Sequence, residues 1–217
     1  MPTLLHLDSS ADLVASVSRD LTARFAAAWT ANGGQHVVVH RDLHTDPLPH
    51  LPSSALHWAP QLRTPGETAP AWGEDLQQKL IAEVAAADVL VIGAPMYNWS
   101  MPSTLKAWID YLHVPGTTAP FDEPTQPFLG KPVVVVSSRG DQYGPGTSNP
   151  DADHELPALR KVLADALGMD VTFVTAELTL AARIPAMAAL LERSTAARQQ
   201  AEQSRDDLAA KLGTAAS

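Results

Sequence analysis

Asp88-Val-Leu-Val-Ile-Gly93 runs without a break into Ala94-Pro95-Met96-Tyr97-Asn98-Trp99-Ser100, and that into Met101-Pro102-Ser103-Thr104-Leu105-Lys106-Ala107-Trp108-Ile109-Asp110-Tyr111-Leu112. The first piece is a nearly continuous apolar run, the pattern of a parallel strand covered on both faces. In the last, Leu105, Trp108, Ile109 and Leu112 recur at helical spacing, with Pro102 in the first turn. The loop between them carries two aromatics, an asparagine and Pro95. In an open α/β sheet, ligands bind outside the carboxyl ends of strands, so this loop stands at a binding edge.

The same alternation extends in both directions. Strands are predicted over Thr3–Leu7, His36–His40, Asp88–Gly93, Pro132–Ser138 and Val171–Ala176. A first helix is marked by Val17, Leu21, Phe25 and Ala28, with Asn32-Gly33-Gly34 as its stop. Others are predicted over Leu76–Ala86, Pro102–Leu112 and Leu156–Leu167, the last stopped by Gly168. From Pro185 to Leu212 runs an alanine-rich, charge-laced helix whose thin apolar face suits a surface or a partner. Strand–helix alternation argues for a doubly wound α/β fold, a five-stranded parallel sheet of order 2-1-3-4-5. Two long loops, Leu43–Trp72 and Val114–Gly130, interrupt it, and loops of that length are usually functional or covering elements. With no internal repeat or linker, residues 1–217 read as one domain.

Bulk properties narrow the function. The chain has 217 residues, 45% of them hydrophobic and 18% charged, as a soluble globular protein requires. A formal charge of −9 disfavours broad nucleic-acid or anionic-membrane surfaces, so no nucleic-acid or membrane partner is expected. The chain has no cysteine, which excludes disulfides, thiol nucleophiles and thiolate metal sites. The first residues, Met-Pro-Thr-Leu-Leu-His, have neither the basic region nor the apolar core of a signal peptide, and a cytoplasmic location is expected.

Three loops carry candidate chemistry. After the first strand comes Asp8-Ser9-Ser10, followed by Ser16-Val17-Ser18 at a helix start. Hydroxyls and free N–H groups at a helix N-terminus suit an anion, or Ser16 or Ser18 serves only as a cap. The Pro95–Trp99 loop offers backbone polar groups and aromatic or thioether surface, as a flat heterocycle needs, or it packs locally. The fourth strand runs into Ser137-Ser138-Arg139-Gly140, where Arg139 approaches a ligand or pairs with a surface carboxylate. In the expected topology all three loops converge on one edge. His36 and His40 have the spacing of a helical metal pair, but on a strand they stand far apart, and no metal site is expected.

Together, Ser9-Ser10 with Ser16-Val-Ser18-Arg19, Ala94-Pro-Met-Tyr-Asn-Trp99 with Pro102-Ser-Thr-Leu-Lys-Ala-Trp108, and Ser137-Ser-Arg-Gly140 resemble the FMN-dependent NADH-azoreductases and their relatives, the NAD(P)H:quinone oxidoreductases. The resemblance spans roughly Thr3 to Leu180 and implies a flavodoxin-like homodimer with FMN at its interface. It implies that Ser10, Ser16, Val17 and Ser18 hold the FMN phosphate. Pro95, Met96, Tyr97, Asn98 and Trp99 would line the isoalloxazine, with Ser138, Arg139 and Gly140 near its pyrimidine end. No side chain need be a conventional catalytic group; Tyr97, Asn98 and Phe121 are candidates for positioning. NADH or NADPH would reduce FMN, and a quinone, azo compound or similar flat electrophile would then accept the hydride in a ping-pong cycle. A flavodoxin-like electron carrier and a dedicated reductive biosynthetic enzyme stay open. The chain departs from the family at Asp141, where a second glycine is usual, and its carboxylate is expected to point outward. Phe121, in Gly116-Thr-Thr-Ala-Pro-Phe121-Asp, is the candidate for the aromatic that the family brings over the flavin.

Overall fold

The computed structural model describes residues 1–217 except Gly34, Ser148 and Ser217; Gly34, the third residue of the expected helix stop, therefore lies outside the described residues. Five strands, β1 (Thr3–Asp8), β2 (Val37–Asp42), β3 (Val89–Pro95), β4 (Pro132–Ser138) and β5 (Asp170–Ala176), form one sheet of order β2-β1-β3-β4-β5. Every neighbouring pair is parallel. This is the expected order.

The helices are α1 (Val17–Ala31), α2 (Ala71–Ala86), α3 (Ser103–Leu112), α4 (Leu156–Leu159) and α5 (Leu191–Ala215). Alternating strand residues feed two cores. Leu5, Leu7, Leu90, Ile92, Val133 and Val135 face α2 and α3, where Leu80, Val84, Leu105, Trp108 and Leu112 are buried against them. Leu4, Val89, Val91, Val134 and Val136 face the other way, onto Leu21, Phe25 and Trp29 of α1 and Ala201 and Ala209 of α5. Period-two alternation in β-strands, with both faces apolar, produces this double burial.

Three elements differ from their expected form. Helix α2 starts at Ala71, directly after Pro70, five residues ahead of the apolar stripe that signalled it. The helix expected over Leu156–Leu167 is α-helical only in α4 and continues as a π-helical turn over Arg160–Ala166. The alanine-rich segment opens with a 3₁₀ turn, Pro185–Leu190, before α5. Its thin apolar face is no mark of exposure. Ala201, Ala209 and Gly213 are small enough to let α5 lie close on α1, with Asn32 Nδ2 donating to the Ala209 carbonyl at 3.4 Å.

The long loops are covering elements. Leu43, Ala55, Leu56 and Ala59 are fully buried, and Gln77 of α2 binds the Leu56 and Tyr111 carbonyls at 2.8 and 3.2 Å. In the second loop the Thr118 hydroxyl accepts from the Val114 N–H and donates to the Leu112 carbonyl, turning the chain at the end of α3. No helix among the described residues is long and apolar enough to cross a membrane. Close packing of α5 predicts that Ala209→Leu overpacks the α1 contact and costs about 1–3 kcal/mol in urea unfolding. An unchanged midpoint would mean that α5 is loosely attached.

Candidate active site

The order reversal puts β1 and β3 side by side while their following helices, α1 and α3, leave on opposite faces. A cleft opens at that point. It is a cavity of about 440 Å³, within the range of about 300–1,000 Å³ usual for small-molecule sites.

One end is built from the loop after β1. Ser16 caps α1, its hydroxyl accepting from the Arg19 N–H at 3.3 Å and lying 3.1 Å from the Ser18 hydroxyl. Asp12 turns the preceding chain by accepting from Val14 and Ala15 N–H at 2.9 and 2.8 Å. These backbone hydrogen bonds hold its carboxyl below the usual range. Arg19 reaches back to clamp the Ser10 carbonyl with Nε and Nη2, at 3.1 and 2.7 Å. It also forms a two-pronged pair with Asp42, at 2.8 Å for each contact. Burial alone would raise Asp42, but Arg19 and the N–H groups of His44 and Thr45 hold it well below the carboxylate range.

The loop after β3 is a tight two-residue turn. Tyr97 and Ser100 exchange both backbone hydrogen bonds, at 2.8 and 3.0 Å, and Asn98 and Trp99 between them take φ of 49° and 66°. Consecutive non-glycine residues in the left-handed region cost roughly 1–3 kcal/mol each and gather at functional sites. The turn aims Tyr97 across the cleft. Its hydroxyl accepts from the Ala11 N–H at 2.9 Å and lies 3.3 Å from the Ser10 hydroxyl, bolting this loop to the serine loop.

The far wall joins the loops after β4 and β5. Thr179 N–H and Oγ1 both donate to the Arg139 carbonyl, at 3.0 and 3.1 Å. Gly140 lies so near Leu180 that a Cβ would stand 2.6 Å from Leu180 Cδ1, so a side chain here would have to displace that of Leu180.

The cavity brings together Ser10, Ser16, Val17, Pro95, Met96, Tyr97, Ser138 and Gly140, all expected from sequence. Asn98 faces a neighbouring recess of about 470 Å³ with Met101 and Lys106. Ser18 is buried, Trp99 is exposed, and Phe121 stacks edge-on against Trp58 at 5.5 Å, so none of these side chains lines the wall. The Arg139 side chain also turns away. It is buried among carboxylates, 3.0 Å from Asp153, 3.6 Å from Glu155 and 3.9 Å from Glu177. The Asp141 carboxylate, expected to point outward, accepts from Asn149 Nδ2 at 3.1 Å and is not on the wall. Sequence reasoning missed Asp12, Ala15, Thr179, Leu180 and Arg183. The rule that ligands meet strand carboxyl ends, applied to β5, finds the last three.

The donor set is two-ended. Ser10 and Ser16 hydroxyls, the opening N–H groups of α1, and the Arg183 guanidinium suit an anion. Pro95, Met96, Tyr97, Ser138 and Gly140 suit a flat ring with polar edges.

Known proteins of similar sequence and structure identify the family. The family described as a flavodoxin-like fold matches residues 2–203. An FMN-dependent NADH:quinone oxidoreductase of Kineococcus radiotolerans is 52% identical, over 98% of this chain and 100% of that protein. One of the same name from Streptomyces avermitilis is 43% identical, over 97% and 95%. Among solved structures, an FMN-dependent NADH-azoreductase from Bacillus anthracis in complex with FMN has the same fold, with a TM-score of 0.76 at 20% identity. That similarity covers 98% of this chain and 100% of the azoreductase.

Beneath Ser138, the Ser137 hydroxyl donates to Glu155 at 2.6 Å. Burial pushes Glu155 up to about 8, against the opposing pulls of Ser137 and Arg139. The folded protein therefore holds an extra proton between 4.5 and about 8, and stability falls as pH rises through that window. Thermal unfolding should show this fall in the native protein and a flatter profile in Glu155→Gln. An identical slope in both would rule out Glu155 as its source.

Proposed function

The chain belongs to the family of flavodoxin-like fold that matches residues 2–203, and from that premise we propose that it is an FMN-dependent NADH:quinone oxidoreductase. The observation that carries the reading is the two-ended cavity: hydroxyls, helix N–H groups and a guanidinium at one end, and a flat slot with polar edges at the other. Relatives that match nearly the whole chain bear that name, which supports it.

In this reading Ser10, Ser16, the N–H groups of Val17 and Ser18, and Arg183 hold the phosphate. The dipole of α1 adds to the attraction. Arg19 keeps the Ser10 peptide in place from behind, so the loop is set before anything binds. Pro95, Met96 and Tyr97 would border one side of the ring and Ser138 and Gly140 the other. Asn98 and Trp99 act through the turn that presents Tyr97, and Arg139 supports the wall through its backbone. FMN held by these residues would supply the redox chemistry, hydride acceptance from NADH and two-electron reduction of the acceptor. The protein positions it and excludes side reactions, and no side chain has to act as nucleophile.

We also propose a homodimer in the cytoplasm, where the NADH pool is available. Trp58, Trp99 and Phe121 are large apolar side chains left exposed, and a second subunit would cover them. The acceptor is a small flat electrophile, a quinone or an azo compound.

Anaerobic mixing of FMN-loaded protein with NADH tests the activity. The oxidised-flavin absorbance should bleach, then return on adding benzoquinone. A flavin that stays oxidised with both NADH and NADPH would overturn the reductase reading in favour of an electron carrier.

A further inference from the structure

On the opposite side of the Arg19 clamp, three potential metal ligands meet. His6 and Asp8 are two residues apart on β1 and share one face, and His40 is the register partner of His6 on β2. His6 Nε2 lies 3.2 Å and His40 Nε2 3.1 Å from Asp8 Oδ2. The three donor atoms lie within 4.8 Å of one another, the one such group of three among the described residues.

From this arrangement we propose that His6, Asp8 and His40 bind a divalent transition-metal ion, zinc by ligand chemistry. Donors on a tetrahedral zinc with bonds of about 2.0–2.1 Å stand about 3.3–3.4 Å apart, close to both histidine–aspartate distances. The carboxylate is oriented as a ligand should be. Its Oδ1 accepts from the buried Thr22 hydroxyl at 2.8 Å, leaving Oδ2 toward the histidines. His6 is 5% exposed, and among the described residues its Nε2 makes no well-formed hydrogen bond, its 3.2 Å contact with Asp8 Oδ2 included. A buried imidazole nitrogen normally finds a partner, and an ion would be one.

Arg19 is the competing charge, with Nη1 3.6 Å from Asp8 Oδ2. Its guanidinium is already committed to Asp42 and the Ser10 carbonyl. Entry is from the His40 side, where that side chain is 47% exposed. Three protein ligands leave a fourth position for water. Two imidazoles with one carboxylate suit zinc, and a site with a single carboxylate as its oxygen donor disfavours calcium and magnesium. The ion would tie edge strand β2 to β1 and, through Thr22, to α1.

Calorimetric titration of tag-free, FMN-loaded protein with zinc chloride alone tests the site. One ion per chain should bind with micromolar or tighter affinity and raise the melting temperature. His40→Gln, at a half-exposed position that spares folding, should weaken binding beyond the ~10–100-fold cost of losing an outer-shell partner. Thr22→Val should fall within that ~10–100-fold range, and His44→Gln should leave binding unchanged. Absence of micromolar binding, unchanged affinity in His40→Gln, or an equal loss in His44→Gln would each overturn the assignment. None of these readouts depends on enzyme activity.

Discussion

Parallel strands force every connection to cross over the sheet, and a right-handed crossover lets successive helices change faces only where the strand order reverses. In this chain the reversal falls between β1 and β3. Helix α1 packs its Leu21, Phe25 and Trp29 on one face, while α3 packs Leu105, Trp108 and Leu112 on the other. Diverging helices leave the ends of both strands uncovered, so a cleft is inherent in the topology. The loops decide only what chemistry it holds.

Those loops are fixed both to one another and to the strands below them. The Tyr97 hydroxyl joins the β3 loop to the serine loop. Arg19 holds the serine loop to β2 through Asp42. Thr179 and Leu180 bind the backbone of Arg139 and Gly140. A left-handed turn at Asn98-Trp99 is the local cost of aiming Tyr97. A site locked in this way is ordered before it binds, which spares a ligand part of the entropy of organising it.

What was legible in sequence follows the range of each signal. Apolar runs such as Val133–Val136 and stripes such as Leu105, Trp108 and Leu112 are local and reveal the strands and helices, while the order of the sheet follows from their alternation and the crossover rule. The serine loop and Pro95–Tyr97 could be located because a strand end and a helix start bracket them. Direction was not legible. Arg139 follows a serine-rich strand end and suits an anion, yet burial against Asp153, Glu155 and Glu177 turns it away. Arg183 has no motif around it and belongs to the site only because the β5 loop folds back over Gly140. The nearness of His6 to His40 depends on strand register, which spacing along one strand cannot reveal; spacing alone offers only His36 and His40, which a strand holds too far apart to share a ligand. Helix α5 had a thin apolar face because alanine and glycine make its contacts.

The central claim is that the cleft is two-ended, with the serine loop and Arg183 serving a phosphate. Equilibrium titration of the cofactor-free protein with FMN and with riboflavin, which lacks only that group, tests it most directly. Hydrogen bonds to a charged group contribute about 1.5–3 kcal/mol each, so losing two should weaken riboflavin ~100-fold or more relative to FMN. Equal affinity for the two would contradict the account, since the hydroxyls, the α1 N-terminus and the guanidinium would then be holding nothing.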